Sequence, residues 1–288
     1  MVDGEKRGCM KKGMRTAVYD SGLCIEAYRF NGIVQPFPNH FHEYYVLGLV
    51  GEGERLLFCN NKKSQLKKGS ILLFNPEDTH GCRQNDERTF AYCCFNISRK
   101  RMLELTEEIT GKRKLPLFSR NVFYHAEIMY YFYSLHEKIM NGASDFEKEE
   151  GILFLISALI RNYGRFCETA LPECGEQVKK ACEFMREQYG GRISLEELCR
   201  HAGLSKSTLL RAFIKEKGIS PYRYLEAVRV NEAKILLEKG IPPADVACQT
   251  GFFDQSHFTH YFNKLIGISP GAYHGIFSGI GKRGRHDG

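Results

Sequence analysis

A repeat near the end of the chain constrains the fold more than any other feature. Residues 205 to 224, S-K-S-T-L-L-R-A-F-I-K-E-K-G-I-S-P-Y-R-Y, align without a gap over residues 254 to 273, D-Q-S-H-F-T-H-Y-F-N-K-L-I-G-I-S-P-G-A-Y, at an offset of 49. The matched positions include Phe213/Phe262, Gly218/Gly267, Ser220/Ser269, Pro221/Pro270 and Tyr224/Tyr273. Upstream the match continues with a slip of one residue, S-L-E-E-L-C-R-H-A-G-L over P-P-A-D-V-A-C-Q-T-G-F-F. One supersecondary unit is therefore written twice.

Its local chemistry is helix, tight turn, helix. Ser194 followed by Glu197 forms a capping box, and Pro242-Pro243 opens the equivalent helix in the second copy. Turns fall at Ala202-Gly203-Leu204 and Gly251-Phe252-Phe253, after which Ser205 and Asp254 cap second helices that end at Gly218 and Gly267. In each G-I-S-P the glycine stops one helix, the serine caps the next and the proline takes its first position. A helix from about Pro221 to Lys239 joins the units, with Tyr224, Leu225, Val228, Ile235, Leu236 and Leu237 at helical spacing, and another precedes them, with Val178, Ala181, Cys182, Met185 and Tyr189 on one stripe. The pattern predicts either a duplicated helical bundle or two recognition helices for two DNA major grooves.

Charge favours DNA. Of the formal net charge of +7, residues 174 to 288 carry +5 and residues 1 to 173 carry +2. The longest charge-free apolar run, Gly151 to Ile160, is about ten residues, against roughly 20 for a bilayer span, so no membrane span is expected. The basic N-terminus lacks the apolar core of a secretory signal, and most of the eleven cysteines, which form no C-x-x-C pair, read as buried thiols in a reducing compartment. A cytoplasmic location is expected.

Residues 174 to 275 resemble the AraC-type (AraC/XylS) transcription regulators. The carrying motifs are A-C-Q-T-G-F-F-D-Q-S-H-F-T-H-Y-F-N-K-L-I-G-I-S-P-G-A-Y from Ala247, and Y-L-E-A-V-R-V-N-E-A-K-I-L-L from Tyr224. The resemblance implies a seven-helix, two-lobed domain that reads two successive major grooves. On the first recognition helix Leu209, Phe213 and Ala212 are expected in the core, leaving Lys206, Ser207, Leu210, Arg211 and Lys215 outward. Arg211 matches the family's base-reading position and has the fork for guanine O6 and N7; the other reading is a phosphate clamp or a solvated charge. On the second helix Phe258, Tyr261 and Phe262 read as core, leaving Gln255, Ser256, His257, Thr259, His260 and Lys264 for DNA. Gln255 and His257 are either base readers or cap-region and solvent-facing residues. His260 stands where the family often carries Arg, and Asn263 where it often carries Lys, so the second unit is expected to hold DNA less tightly. The tail K-R-G-R-H-D-G is read as a basic end near phosphates.

Residues 23 to 98 alternate short strand-like runs with turn signals: E-A-Y-R-F, H-E-Y-Y-V-L-G-L-V, E-R-L-L-F-C, an N-N-K-K-S turn, G-S-I-L-L-F-N-P and R-T-F-A-Y-C-C-F-N-I. N-H-F-H-E-Y-Y-V from Asn39 and G-S-I-L-L-F-N-P-E-D-T-H from Gly69 resemble the two cupin motifs as AraC-type effector domains use them. Period two puts His40 and His42 on one face, and the resemblance brings His80 to them inside the barrel. A metal-binding cupin also carries a Glu four or five residues after the second His; Val46 and Leu47 stand there, and Glu43 faces the other way. The three histidines therefore line a small-molecule effector, hold a metal, or are structural, with Cys82, Cys93 and Cys94 as buried thiols or soft-metal ligands nearby. The effector set is His40, His42, Tyr44 and His80, with no catalytic residue, cofactor or metal assigned.

Residues 121 to 140 and 146 to 163 read as two helices. The second, apolar all round, must be covered by the barrel, by its partner helix or by a second subunit. The expected architecture is α+β in two domains. A cupin-like β-barrel (double-stranded β-helix, residues 1–110) and linker or dimerisation helices (111–170) precede an all-α domain with two helix-turn-helix units (171–288). The expected protein is an effector-modulated transcription regulator, not an enzyme. Its partners are promoter DNA, a small molecule, RNA polymerase and a second copy of itself, and activation is the assigned mode although the residues write neither activation nor repression. The rivals are a metal-dependent cupin enzyme fused to a DNA-binding tail and an effector-free DNA binder.

Overall fold

The computed structural model describes residues 13–84, 88–166 and 175–278, and the side chain of Ser207 also lies outside the described set. Nine strands come first: β1 (Met14–Asp20), β2 (Ile25–Ile33), β3 (Phe37–His40), β4 (Tyr45–Glu52), β5 (Arg55–Cys59), β6 (Lys62–Leu66), β7 (Ile71–Phe74), β8 (His80–Gln84) and β9 (Phe90–Ile97). Helix α1 (Arg99–Thr110) and the short strands β10 (Leu117–Phe118) and β11 (Val122–Phe123) lead to α2 (Ala126–Met140), α3 (Asp145–Tyr163) and β12 (Gly164–Arg165). The strands form a six-stranded sheet, β1-β2-β9-β4-β7-β11, facing a four-stranded sheet, β3-β8-β5-β6; β10 pairs with β12 alone. No ladder joins the two large sheets among the described residues, so the barrel is open.

Alternation along the strands splits the interior in two. Tyr28, Val46, Leu72 and Cys94 face the smaller sheet, while Ala27, Leu47, Ile71, Cys93 and Phe95 face α2 and α3. Gly48 lies between Cys94 and Leu72 in the register, and its missing side chain lets Tyr92 lie across the sheet: a Cβ there would meet the Tyr92 ring at 2.4 Å. Ile152, Leu155, Ile156 and Leu159 of α3 are buried in the second interior. The chain itself therefore covers most of the apolar helix, α2 and α3 packing on the larger sheet.

Several elements differ from the sequence expectation: the helix read over residues 121–140 begins only at Ala126, with Val122–Phe123 pairing as β11. β1 pairs along its whole length with β2, although M-R-T-A-V-Y-D reads only as the end of a basic terminus. The N-N-K-K-S turn is confined to Asn60 and Asn61, both at positive φ, and Lys62 already opens β6, the shape expected of a two-residue hairpin loop. α1 went unread because only Met102, Leu105 and Thr106 are buried in a charged sequence; its signals are the Ser98 cap and the left-handed Gly111.

The remaining described residues form helices and their connections: α4 (Glu176–Glu187), α5 (Leu195–Ala202), α6 (Lys206–Lys217), α7 (Pro221–Glu238), α8 (Pro243–Gln249), α9 (Gln255–Ile266) and α10 (Pro270–Ser278). The expected caps form: Ser194 with Glu197, Ser205 on Thr208, Ser220 on Arg223 and Asp254 on His257. Gly218 and Gly267 stop α6 and α9 at φ 70° and 90°. On α7 the spacing misplaced one residue: Ile235 is 42% exposed, whereas Lys234 is buried at 3%.

Candidate sensor cavity and nucleic-acid interface

A cavity of about 80 Å³ lies between the two large sheets. His40 closes β3, His80 opens β8, and the two pair directly across the ladder, with His42 two residues beyond His40. All three rings are buried. His40 Nε2 lies 3.1 Å from His42 Nε2, and one ring nitrogen from each histidine falls within 4.8 Å of the other two. His42 stacks on Tyr44 and His80 on Phe74, at centroid distances of 4.7 and 3.9 Å.

Burial holds all three imidazoles in the neutral form. It depresses His40 to about 3, helped by the neighbouring His80, and His80 to about 4. His42 falls well below its ordinary value for the same reason, aided by His40, His80 and the Lys234 ammonium. Val46 lines the cavity where a metal-binding cupin would carry its acid, and Glu43 faces outward to Arg186. Cys82 and Cys94 line the cavity while Cys93 faces the other core; burial pushes all three thiols up, Cys93 to about 12. They act as small apolar side chains.

The last wall of the cavity comes from the other domain. Leu265 and Ile266, at the end of α9, close it beside Phe30 and Phe37. Gly267 comes so close that a Cβ would stand 3.0 Å from the Phe30 ring. Arg15 of β1 donates to Asn263 Oδ1 at 3.2 Å and to the Gly267 carbonyl, and Gln35 reaches the Asn263 carbonyl. Phe41, between the two histidines, points the opposite way into the first helix-turn-helix lobe and stacks on Tyr224 at 4.7 Å.

A wider polar cleft of about 480 Å³ opens beside this contact, lined by Glu26, Asn96, Arg101, Asn231, Lys234 and Glu238. At its base Lys234 Nζ lies 3.1 Å from Glu26 and 3.8 Å from the centre of the Tyr44 ring. Tyr28, Tyr273 and Asn96 donate to the same carboxylate at 2.7, 2.7 and 2.9 Å. Burial alone would raise Glu26, but the ammonium and these donors outweigh it and hold the carboxyl below its usual range. Lys234 is correspondingly raised despite its burial, chiefly by Glu26.

On the DNA-binding domain, Lys206, Arg211 and Lys215 are exposed on α6, and Gln255, Ser256 and His260 on α9. Ser207 lies on α6, with its side chain outside the described residues. Leu210 departs from the outward expectation: it is half-buried over a shallow apolar groove with Leu198, Pro221 and Leu225. Thr259, Lys264 and His257 are half-buried, His257 edge-on to Tyr261 at 4.8 Å with its backbone N–H held by Asp254. Tyr261 too is half-buried rather than core, unlike Phe258 and Phe262. The sequence reading missed Arg15, Phe41, Glu26, Lys234, Leu265 and Ile266. The last two carried a visible signal, since the apolar pair replaces Glu216-Lys217 at the matched position of the first repeat.

Two protein families match the chain: the AraC-like ligand binding domain over residues 23–157 and the helix-turn-helix domain over residues 198–275. The uncharacterized HTH-type transcriptional regulator YbfI of Bacillus subtilis is 45% identical over 249 residues, 86% of this chain and 90% of that protein. The arabinose operon regulatory protein of Salmonella typhimurium is 26% identical over 80% of this chain and 83% of its own length. A variant of apo ToxT from Vibrio cholerae shares the fold, with a TM-score of 0.56 at 12% identity over 91% of this chain and 100% of that one. The two sequence relatives carry the names of transcription regulators. The chain belongs to the AraC-type family of DNA-binding transcription regulators, with an N-terminal ligand-binding domain and a C-terminal pair of helix-turn-helix units.

Proposed function

We propose that the effector occupies the histidine-lined cavity, touching His40, His42, Tyr44 and His80, and reports to the second helix-turn-helix unit through the cavity wall. The observation that carries this reading is that Leu265 and Ile266, the last turn of the second recognition helix, close the cavity. A ligand seated there meets the reading head itself. It changes DNA affinity to the extent that it binds the docked and undocked arrangements differently.

DNA is read by α6 and α9. Lys206, Ser207, Leu210, Arg211 and Lys215 serve the first groove; Gln255, Ser256, His257, Thr259, His260 and Lys264 serve the second. Residues 1–110 act as effector domain, 111–170 as helical segment and 171–288 as DNA-binding domain, in the cytoplasm where promoter DNA and RNA polymerase meet it. Tyr130 and Phe146 on the outer side of α2 and α3 are exposed at 69% and 77%, which supports a homodimer through that face.

The test has two parts. Genomic fragments retained by the purified chain should share two boxes about one helical turn apart. A small molecule that raises the chain's melting temperature should then change its affinity for those fragments, and by linkage DNA should change the small molecule's affinity by the same factor. Stabilising ligands that all leave DNA affinity unchanged remove the reading.

A further inference from the structure

The histidine cluster has an internal arrangement that effector lining does not require. His40 Nδ1 lies 2.6 Å from the Pro38 carbonyl oxygen, and His80 Nδ1 lies 2.8 Å from the Asp78 carbonyl oxygen. A carbonyl only accepts, so each Nδ1 carries the hydrogen and donates it. This fixes both rings in one tautomer and leaves each Nε2 as a bare lone pair. Backbone carbonyls behind imidazoles are the usual outer shell of a metal-binding histidine.

The ring nitrogens converge: His42 Nε2 donates to the bare Nε2 of His40 in the ion-free chain, and an ion takes the place of that hydrogen once it shifts to His42 Nδ1. Two nitrogens on one tetrahedral ion, each about 2.0–2.1 Å from it, stand about 3.3 Å apart. His40 and His42 already have that spacing, at 3.1 Å. The widest separation in the trio, up to 4.8 Å, closes by a ring shift of about 1.5 Å to reach the same geometry. Among the described residues no other three His, Cys, Asp or Glu groups gather in this way.

We infer that His40, His42 and His80 bind one borderline divalent ion of the zinc, cobalt or nickel class through three imidazole nitrogens, with the fourth position open to the aromatic cavity. This inference rests on the reading of that cavity as the sensor site and names what it holds. The absent acid, which the sequence sets against a metal, selects instead among metals: three neutral nitrogens suit zinc, cobalt and nickel, whereas magnesium and manganese prefer oxygen donors. The site also lies where an ion can be felt. Phe41 sits between two of the ligands and packs into the first lobe, and Ile266 of the second lobe lines the same cavity.

The experiment titrates the full-length chain, stripped with a chelator, with Zn²⁺ and Co²⁺ in a calorimeter and follows the Co²⁺ visible spectrum. The expected result is one ion per chain, a rise in melting temperature and the intense absorption of four-coordinate cobalt, with Mg²⁺ silent. His80→Gln should weaken binding about 100-fold, judged on samples whose melting curve shows a folded chain, while the control His201→Gln keeps one ion. Wild-type chain that takes up no saturable ion, or binds it equally well in the folded His80→Gln variant, overturns the assignment. Binding of the ion with DNA affinity unmoved by any cavity ligand keeps the metal site and removes the sensor reading instead.

Discussion

The two helix-turn-helix units carry the same motif and meet the sensor domain in different ways. The first ends its recognition helix in Lys215-Glu216-Lys217, and the contact there is polar: Lys217 faces Glu77, and Asn61 donates to the Lys215 carbonyl at 3.4 Å. The second ends in Lys264-Leu265-Ile266, and the same turn becomes a wall of the histidine-lined cavity. Ile214 is 52% exposed, while its counterpart Asn263 accepts from Arg15. The paired tyrosines diverge in the same sense, Tyr224 stacking its ring on Phe41 and Tyr273 giving its hydroxyl to the buried Glu26. Duplication preserved what the helix-turn-helix needs, its caps and core aromatics, and left the outer positions free to specialise. One unit leans on the sensor and the other plugs it.

The largest test of this asymmetry is Lys234→Met, which leaves Glu26 buried without its cation. Stability should fall by about 3–5 kcal/mol in urea unfolding, and Glu26→Gln added to it should recover part of the loss. A single variant within experimental error of wild type would mean that the second unit is not held there. Next come matched truncations: Leu265→Ala should cost about 2–4 kcal/mol as a core deletion, and its counterpart Glu216→Ala less than about 0.5 kcal/mol. Equal effects would erase the distinction between plug and rim.

On DNA, Arg211→Ala should lose about 1–3 kcal/mol of discrimination at one base position of the recovered site. A uniform loss over all sequences would make Arg211 a phosphate contact. His260→Arg gives the second unit the guanidinium of the first and should tighten binding while steepening the salt dependence by about one ion; an unchanged slope would place His260 away from the backbone.

The smallest effect is in pH. The Glu26 carboxyl is depressed, so its contribution is complete above the unfolded value of about 4.3 and is lost as pH falls through the folded value. The Lys234 ammonium is raised, so its contribution is complete below about 10.4 and is lost as pH rises through its folded value. Stability should therefore fall off in acid below about pH 4, and the Lys234→Met, Glu26→Gln double variant should show a shallower acid limb in melts against pH.

The second helical domain was legible in the sequence because its signals are local. Each cap, stop glycine and first-turn proline acts within four residues, and the structure realises them at Ser194, Ser205, Ser220, Asp254, Gly218 and Gly267. Of the histidine trio, alternation puts His40 and His42 on one face, while the arrival of His80 was implied only by the resemblance to the cupin motifs. β1 escaped because an edge strand beside a basic terminus has little pattern of its own, and α1 because three buried residues in twelve make a faint stripe.

By itself the sequence determined the two units and their helix boundaries, which follow from short-range backbone and side-chain chemistry, and its motifs carried the family. The docking of the domains was decided only by tertiary structure. Lys234 and Glu26 are 208 positions apart, and Arg15 and Gly267 are 252 apart. Each member of such a pair looks like an ordinary surface charge or turn glycine until burial in the assembled fold removes its water and makes its one partner decisive.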